Sequence, residues 1–247
     1  MNAADELIRL YAKQLKVPSF AEYQEVLRQA APSDGFADLL LELMKAETAS
    51  RQENQNRRRL KAAGFPYLKT MEEFDCSQLN DSVSPLFLQE LASCQFIQNR
   101  QNVIMIGNPG RGKTHLAIAL GLKACTQGYN VLFKNAATLS TELCEARDNY
   151  HLGKLERTLA KADLLILDEP VSGVDQNGLE SFYQTVDELK RTNHMAILLV
   201  SHDLDVVRRY ADRVVLMQGT VVRQGDPENV FDSDEFAQVF YTRGGHV

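Results

Sequence analysis

Gly107-Asn-Pro-Gly-Arg-Gly-Lys113-Thr114 is the stretch of sequence that decides the fold of this chain. An apolar run over residues 102–106 precedes it, and a helical pattern over residues 113–127 follows it. A glycine-rich turn between a strand and a helix collects backbone N–H groups at the positive end of the helix, where a phosphate chain binds best. The stretch therefore predicts a phosphate loop in a P-loop nucleotide-binding fold.

The residue types in this loop each have a chemical reason. Glycine has no Cβ, so the backbone can wrap closely around phosphate oxygens. Lys113 is expected to reach the β- and γ-phosphates of ATP, and Thr114 is expected to coordinate Mg²⁺. The residues predicted to bind the nucleotide are Gly107, Asn108, Pro109, Gly110, Arg111, Gly112, Lys113, Thr114 and His115.

A second motif, Leu164-Leu-Ile-Leu-Asp168-Glu169, is an apolar strand that ends in two carboxylates. Such a strand is expected at the centre of a parallel sheet, covered on both faces. Asp168 is the predicted second partner of Mg²⁺, through water, and Glu169 is placed to orient and deprotonate the attacking water. Together the two motifs predict binding of ATP or GTP with hydrolysis, and the carboxylate pair favours an ATPase that polarises water with a glutamate and uses Mg²⁺.

Polar residues near the next buried strand supply further candidates. His202 follows strand 196–200, whose end is expected near the γ-phosphate, so the imidazole is predicted as a catalytic residue that senses hydrolysis. A purely structural histidine is the alternative. Three arginines are candidates for an arginine finger that acts on a neighbouring subunit, although ordinary surface arginines are the simpler interpretation. They are Arg208, Arg209 and Arg213.

Strand and helix patterns alternate from residue 102 onward, which predicts an α/β fold with a doubly wound, mostly parallel sheet. The last two predicted strands, 213–217 and 221–224, form a hairpin around Gln218-Gly219. Residues 1–66 are predicted to be an N-terminal helical module, residues 67–101 a connector, and residues 102–247 the P-loop ATPase domain.

Composition limits the possible partners. The net charge is −6, so the molecule as a whole is not a basic nucleic-acid binder, and contact with duplex DNA would need a local patch. A run of basic residues near the end of a long predicted helix is a candidate for that patch, with a solvated helix face as the alternative. The run consists of Arg51, Arg57, Arg58, Arg59 and Lys61.

Neither a membrane segment nor a signal peptide is expected. No apolar run approaches the ~20 residues of a membrane span, and the first residues carry Asp5 and Glu6. The four cysteines have no metal-type spacing, which is typical of free thiols in a reducing compartment. These features predict a cytoplasmic protein.

Residues 5–169 resemble the IstB/DnaC-like helper ATPases of the AAA+ superfamily. Besides the phosphate loop and its flanks over 102–120, the matching stretches are Glu53-Asn-Gln-Asn-Arg-Arg-Arg-Leu-Lys-Ala-Ala-Gly-Phe-Pro66, Gly128-Tyr-Asn-Val-Leu-Phe133 and Leu159-Ala-Lys-Ala-Asp-Leu-Leu-Ile-Leu-Asp-Glu169. The resemblance implies an N-terminal helical domain that contacts DNA or a partner, homo-oligomers driven by ATP, and a role in directing a transposase to target DNA.

Residues 167–232 resemble the C-terminal half of an ABC transporter ATPase of the metal-uptake type. The matching stretches are Leu167-Asp-Glu-Pro-Val-Ser-Gly-Val-Asp175, Ile197-Leu-Leu-Val-Ser-His-Asp203, Ala211-Asp-Arg-Val-Val-Leu-Met217 and Val222-Arg-Gln-Gly-Asp-Pro227. This resemblance implies that Asp175 belongs to the D-loop and that His202 is the switch histidine. Within the ATPase domain, 102–169 is therefore IstB/DnaC-like and 170–232 is ABC-like.

Each half lacks a motif of its family. Residues 138–161 contain no Leu-Ser-Gly-Gly-Gln-type signature loop, and Ser201-His202 stands where the helper family would have a Thr-Thr-Asn-type sensor. The chain therefore reads as a chimera joined at the acidic strand. The first interpretation is a transposition helper ATPase. The alternatives are an ABC transport subunit and a chimera that binds nucleotide without organised turnover.

Overall fold

The computed structural model describes residues 3–29, 35–73, 85–148, 152–168 and 176–241. Contacts between Cα atoms divide the chain into two compact units, Met1–Arg58 and Arg59–Val247. The domain boundaries predicted from the sequence stay a prediction. Among the described residues, no helix is both long enough and apolar enough to cross a membrane.

The first unit is helical in its described part. It contains α1 (Ala3–Leu15), a short 3-10 helix (Pro18–Glu22), α2 (Tyr23–Gln29) and the beginning of α3 (Phe36–Ala63). Glu47 on α3 is buried, and its carboxylate accepts hydrogen bonds from the Ser19 backbone N–H at 3.1 Å and from Arg51 Nε at 2.7 Å. These bonds attach the 3-10 helix to α3.

The second unit is built on one six-stranded sheet. The strands are β1 (Asn102–Gly107), β2 (Val131–Asn135), β3 (Leu164–Asp168), β4 (Ala196–Val200), β5 (Arg213–Met217) and β6 (Val221–Gly225). Their order across the sheet is β2-β3-β4-β1-β5-β6. All neighbouring pairs are parallel except β5 and β6, which form an antiparallel hairpin. The predicted doubly wound, mostly parallel sheet is confirmed.

Helices connect these strands and cover the sheet. The helices of the second unit after α3 are α4 (Pro85–Ala92), α5 (Gln95–Gln98), α6 (Lys113–Thr126), α7 (Ala136–Asp148), α8 (Leu152–Leu159), α9 (Gln176–Asn193), α10 (Leu204–Tyr210), α11 (Pro227–Phe231) and α12 (Asp234–Phe240). Because parallel strands need crossover connections, helices are expected between successive strands, and this sequence supplies them.

The sheet separates two apolar layers. Side chains alternate along a strand, so Val103 and Met105 of β1 pack on the side of α6, whereas Ile104 and Ile106 pack on the side of α9 and α12. Strands β1 and β4 are buried at every position, and β3 is buried up to its last residue. Full burial on both faces explains why these strands read as continuous apolar runs.

Two local features differ from the sequence prediction. The predicted connector contains two helices, α4 and α5, which are separated because Cys94 adopts a left-handed backbone conformation with φ of 58°. Helices α11 and α12 have no counterpart in the prediction. The thiols of Cys94 and Cys125 are free and buried, and burial raises the pKa of each to about 11.

Candidate nucleotide-binding site

The phosphate loop connects β1 to α6, as its sequence predicts. Gly107 ends the strand with φ of 144°, and Gly110 adopts φ of 70° at the exposed tip of the loop. A Cβ on Gly107 would overlap the carbonyl oxygen of Met217 on the neighbouring strand β5 and would lie 3.0 Å from its carbonyl carbon. Glycine is therefore required at Gly107 both by the backbone conformation and by the close approach of β5.

Lys113 is the first residue of α6, and its side chain turns back over the loop. Its Nζ donates to the carbonyl oxygen of Gly107 at 2.9 Å and to that of Asn108 at 3.0 Å. The ammonium thus lies against the backbone that must surround the phosphates. An anion in the loop would compete with these two carbonyls for the Lys113 charge.

Thr114 and Asp168, the two predicted Mg²⁺ partners, lie together. Thr114 Oγ1 donates to Asp168 Oδ1 at 2.8 Å, across the gap between the start of α6 and the end of β3. A hydroxyl and a carboxylate are hard oxygen donors of the kind that Mg²⁺ prefers. The donor set therefore fits a magnesium ion.

Protein side chains alone do not form a metal centre in the described part of the chain. No group of three or more His, Cys, Asp or Glu side chains there could hold a metal ion. Mg²⁺ keeps several waters and is commonly bound through one or two carboxylates together with substrate phosphates. The site fits an ion that enters with the nucleotide.

The sheet order explains how the end of β4 takes part in the site. Strand β4 lies between β1, which carries the loop, and β3, which carries Asp168. Ser201 continues the β1–β4 pairing through a 3.0 Å hydrogen bond from its N–H to the Met105 carbonyl, and its side chain is buried. His202 comes next and is exposed. His202 therefore directly follows β4, the strand that lies between the strand of the phosphate loop and the strand of Asp168.

Glu169 and Asp175 lie outside the described residues. The roles predicted for them, as general base and as D-loop residue, therefore stay predictions from the sequence.

A buried tyrosine lies close to the end of β4. Burial and the nearby negative charge of Asp203 raise the pKa of Tyr183 to about 12. Asp203 caps α10, because its carboxylate accepts hydrogen bonds from the N–H groups of Asp205 and Val206. The Asp203 carboxylate therefore stabilises the start of α10, directly after His202.

Arg208 and Arg213, which are candidate arginine fingers, make contacts that point to a structural role. Arg213 pairs with Glu90 at 2.8 Å and is at the amino end of β5, opposite to the end where Met217 meets Gly107. The Arg208 guanidinium lies 4.9 Å from the centre of the Phe231 ring. These contacts favour a structural role for Arg208 and Arg213.

The basic residues on α3 differ in the contacts that they make. Arg51 is held by Glu47 and also donates to the Lys16 carbonyl at 2.7 Å, so it stabilises the first unit. Arg57 is exposed and pairs with the equally exposed Glu53 at 3.0 Å. Arg58 is exposed as well. Exposed pairs contribute little to stability, so Arg57 can exchange Glu53 for another partner easily.

Two contacts of the loop have no signal in the sequence. His115 Nε2 lies 3.3 Å from the carbonyl oxygen of Thr70, which brings the connector to the start of α6. Asn108 Nδ2 donates to the carbonyl oxygen of Val239 at 3.0 Å, which brings α12 to the loop. Neither partner belongs to a recognisable motif, so only the folded chain reveals these contacts.

Comparison with known proteins gives two kinds of match. The family model described as IstB-like ATP binding protein matches residues 10–205. The chain is similar to the ATP-binding protein of insertion sequence IS5376 from Geobacillus stearothermophilus, with 31% identity over 200 residues that cover 80% of this chain and 78% of that protein.

A shorter similarity involves a different class of ATPase. The zinc import ATP-binding protein ZnuC from Chelativorans sp. is 42% identical over 92 residues, which cover 37% of this chain and 32% of that protein. Among solved structures, the DnaC helicase loader has a TM-score of 0.48 at 16% identity, and the match covers 65% of this chain and 99% of the loader chain.

Proposed function

Because the chain belongs to the family of IstB-like ATP-binding proteins, we propose that it is a Mg²⁺-dependent ATPase that assists DNA transposition. The observation that carries the proposal is the 2.8 Å contact between Thr114 and Asp168 beside the phosphate loop. It joins the two motifs that ATP hydrolysis needs, although 54 residues separate them in the chain.

The residues of the site have separate tasks in this proposal. The loop N–H groups and Lys113 bind the phosphates, and Lys113 leaves the carbonyls of Gly107 and Asn108 when it does so. Thr114 and Asp168 would hold Mg²⁺, which would neutralise charge on the phosphates. Glu169 accepts a proton from the attacking water. His202 contacts the γ-phosphate from the end of β4.

The proposed macromolecular partners are duplex DNA and a transposase. Arg57 and Arg58 on α3 are exposed cations of the first unit, in a chain whose net charge is −6. A local basic patch is needed for phosphate contacts when the molecule as a whole repels DNA. We assign DNA contact to these two residues and not to Arg51, whose guanidinium is held by Glu47 and Lys16.

The test is the steady-state ATPase rate with and without duplex DNA, together with DNA binding at several salt concentrations. DNA should raise the rate, and affinity should fall steeply as salt increases because bound counterions are released. Arg57→Ala with Arg58→Ala should weaken binding at low salt by roughly tenfold or more, at about 1 kcal/mol for each lost contact.

The matched control changes two other exposed cations of the same unit, Arg28→Ala with Lys45→Ala. The control removes the same net charge, so equal weakening by both pairs would reject a defined contact patch. A rate that duplex DNA leaves unchanged would reject the proposed helper role.

The similarity to ZnuC favours a second proposal, that the chain is a chimera whose segment 170–232 derives from an ABC ATPase. Contacts join this segment to the preceding part of the chain. Arg213 pairs with Glu90 at 2.8 Å, and the Asn102 N–H donates to Asp212 at 2.6 Å. A join at β3 would keep the sheet continuous, because β3 pairs with β2 on one side and β4 on the other.

An ABC-type chimera without a signature loop should not form the ATP-bound sandwich dimer of ABC proteins. The measurement is light scattering of the Glu169→Gln protein with Mg-ATP, since slow hydrolysis would trap such a dimer. A dimer that disappears on substitution of Asp175 or His202 would show that the ABC-like segment governs assembly and would reverse the order of the two proposals.

A further inference from the structure

We infer that α12 is a positioning element for the phosphate loop and that Asn108 is the residue through which it acts. The inference rests on the proposed nucleotide site and concerns a helix beyond residue 205, where the match to the family ends. Asn108 has one hydrogen bond to each side: its amide donates to Val239 on α12, and its carbonyl accepts from Lys113.

The Asn108 side chain gives a hydrogen bond to a backbone carbonyl that has no partner within α12. Val239 is in the last turn of α12, where carbonyl oxygens have no partner four residues ahead within the helix. These carbonyls also carry the negative end of the helix dipole, which would repel a phosphate group close by. The Asn108 amide covers the Val239 carbonyl and fixes the end of α12 against the loop.

Helix α12 is itself firmly anchored in the core. Phe236 and Val239 are 2% and 3% exposed, and they pack in the apolar layer that also contains Ile104 and Ile106 of β1. The Phe236 ring lies 4.9 Å from that of Phe231 and 4.7 Å from that of Phe240. An element packed in this way can hold a loop residue in place.

Lys113 connects this anchor to the nucleotide. To reach a phosphate, its Nζ must leave the Asn108 carbonyl, and the loop backbone at Asn108 must accommodate the change. With the Asn108 side chain bound to α12, the loop is already held in place before the nucleotide binds. Without the bond, the loop would have to become ordered when the nucleotide binds. The entropy cost of that ordering would weaken nucleotide binding.

Asn108→Ala should therefore raise the Kd for ATP about three- to fivefold, the change that corresponds to one neutral hydrogen bond of about 1 kcal/mol. Asn229→Ala is the matched control, because it makes the same chemical change at an exposed position of the C-terminal region. The Kd for ATP of the control should equal that of the unmodified protein.

A double-mutant cycle separates positioning from general destabilisation. Phe240→Ala loosens α12 from its aromatic neighbours and should weaken ATP binding about twofold in the unmodified protein, with no further effect when Asn108 is already alanine. Effects that multiply in the double variant would overturn the inference, since they would show that α12 does not act through Asn108.

Hydrogen exchange of α12 covers the case in which Phe240→Ala fails to fold. Mg-ATP should change the exchange rates of residues 234–240 in the unmodified protein and leave them unchanged in Asn108→Ala. Equal ATP affinity of Asn108→Ala and the unmodified protein, or exchange that ATP never alters, would overturn the inference alone. An unmodified protein that binds no ATP would overturn the proposed function as well.

Discussion

Gly107→Ala is the substitution whose cost the structure determines most directly. The new Cβ would overlap the Met217 carbonyl oxygen, which belongs to the backbone of β5 and cannot rotate away. The φ of 144° at Gly107 adds strain for any residue with a Cβ. Overpacking costs about 1–3 kcal/mol, and a backbone outside the usual regions costs about as much, so we expect a loss of about 3 kcal/mol.

Two other glycines separate the two contributions. Gly110 has φ of 70° but no atom within 4 Å of its ideal Cβ, so Gly110→Ala should cost about 1–2 kcal/mol from the backbone alone. Gly153 on α8 has open space and no positive φ, and its replacement by alanine should stabilise the protein by about 0.5–1 kcal/mol.

The assay is urea unfolding followed by circular dichroism on the nucleotide-free protein. At about 2–3 kcal/mol per molar urea, Gly107→Ala should lower the midpoint by roughly 1–1.5 M, Gly110→Ala by about half as much, and Gly153→Ala should raise it slightly. Equal midpoints for Gly107→Ala and Gly110→Ala would refute the reasoning, since they would show that the approach of β5 adds no cost.

Three further predictions concern charge. Lys113→Ala should weaken ATP binding about tenfold or more through the loss of a charge-assisted contact, and equal affinities in a fluorescent-ATP titration would contradict this. Glu169→Gln should still bind ATP but hydrolyse it at least ~100-fold more slowly, and turnover at the parent rate would place the base elsewhere. Because the pKa of Tyr183 is raised to about 12 from 10.0, its contribution to stability should be complete below pH 10 and be lost between about pH 10 and 12. Tyr183→Phe should lack this component, which is measured as the difference between the two unfolding profiles against pH.

The sequence predicted those parts of the fold in which local chemistry and periodicity agree. The continuous apolar runs of β1, β3 and β4 read as buried strands because both of their faces are covered. The phosphate loop was recognisable because positive-φ glycines and a following helix are local properties. Thr114 and Asp168 were each predicted as Mg²⁺ partners from their motifs, and the structure brings them into contact.

The parts that were missed depend on residues far apart in the chain. Nothing local distinguishes Arg51 from Arg57, yet Arg51 bonds to the buried Glu47 and to the Lys16 carbonyl, whereas Arg57 pairs with the exposed Glu53. The break at Cys94 requires a left-handed residue that is neither glycine nor asparagine. The bond between Asn108 and Val239 spans 131 residues and involves a backbone carbonyl, which carries no information about side-chain identity.

The position of β1 in the sheet has a consequence for synthesis on the ribosome. The strand that carries the phosphate loop pairs only with β4 and β5, so about 110 residues separate Gly107 from its partner Met217. At about 5–20 residues per second, both edges of β1 stay unpaired for roughly 5–20 seconds while the rest of the domain is made. During that interval the nascent chain exposes a strand with four consecutive apolar residues, 103–106, which makes it a candidate for chaperone binding. A chain released before β4 would lack the sheet that supports its nucleotide site.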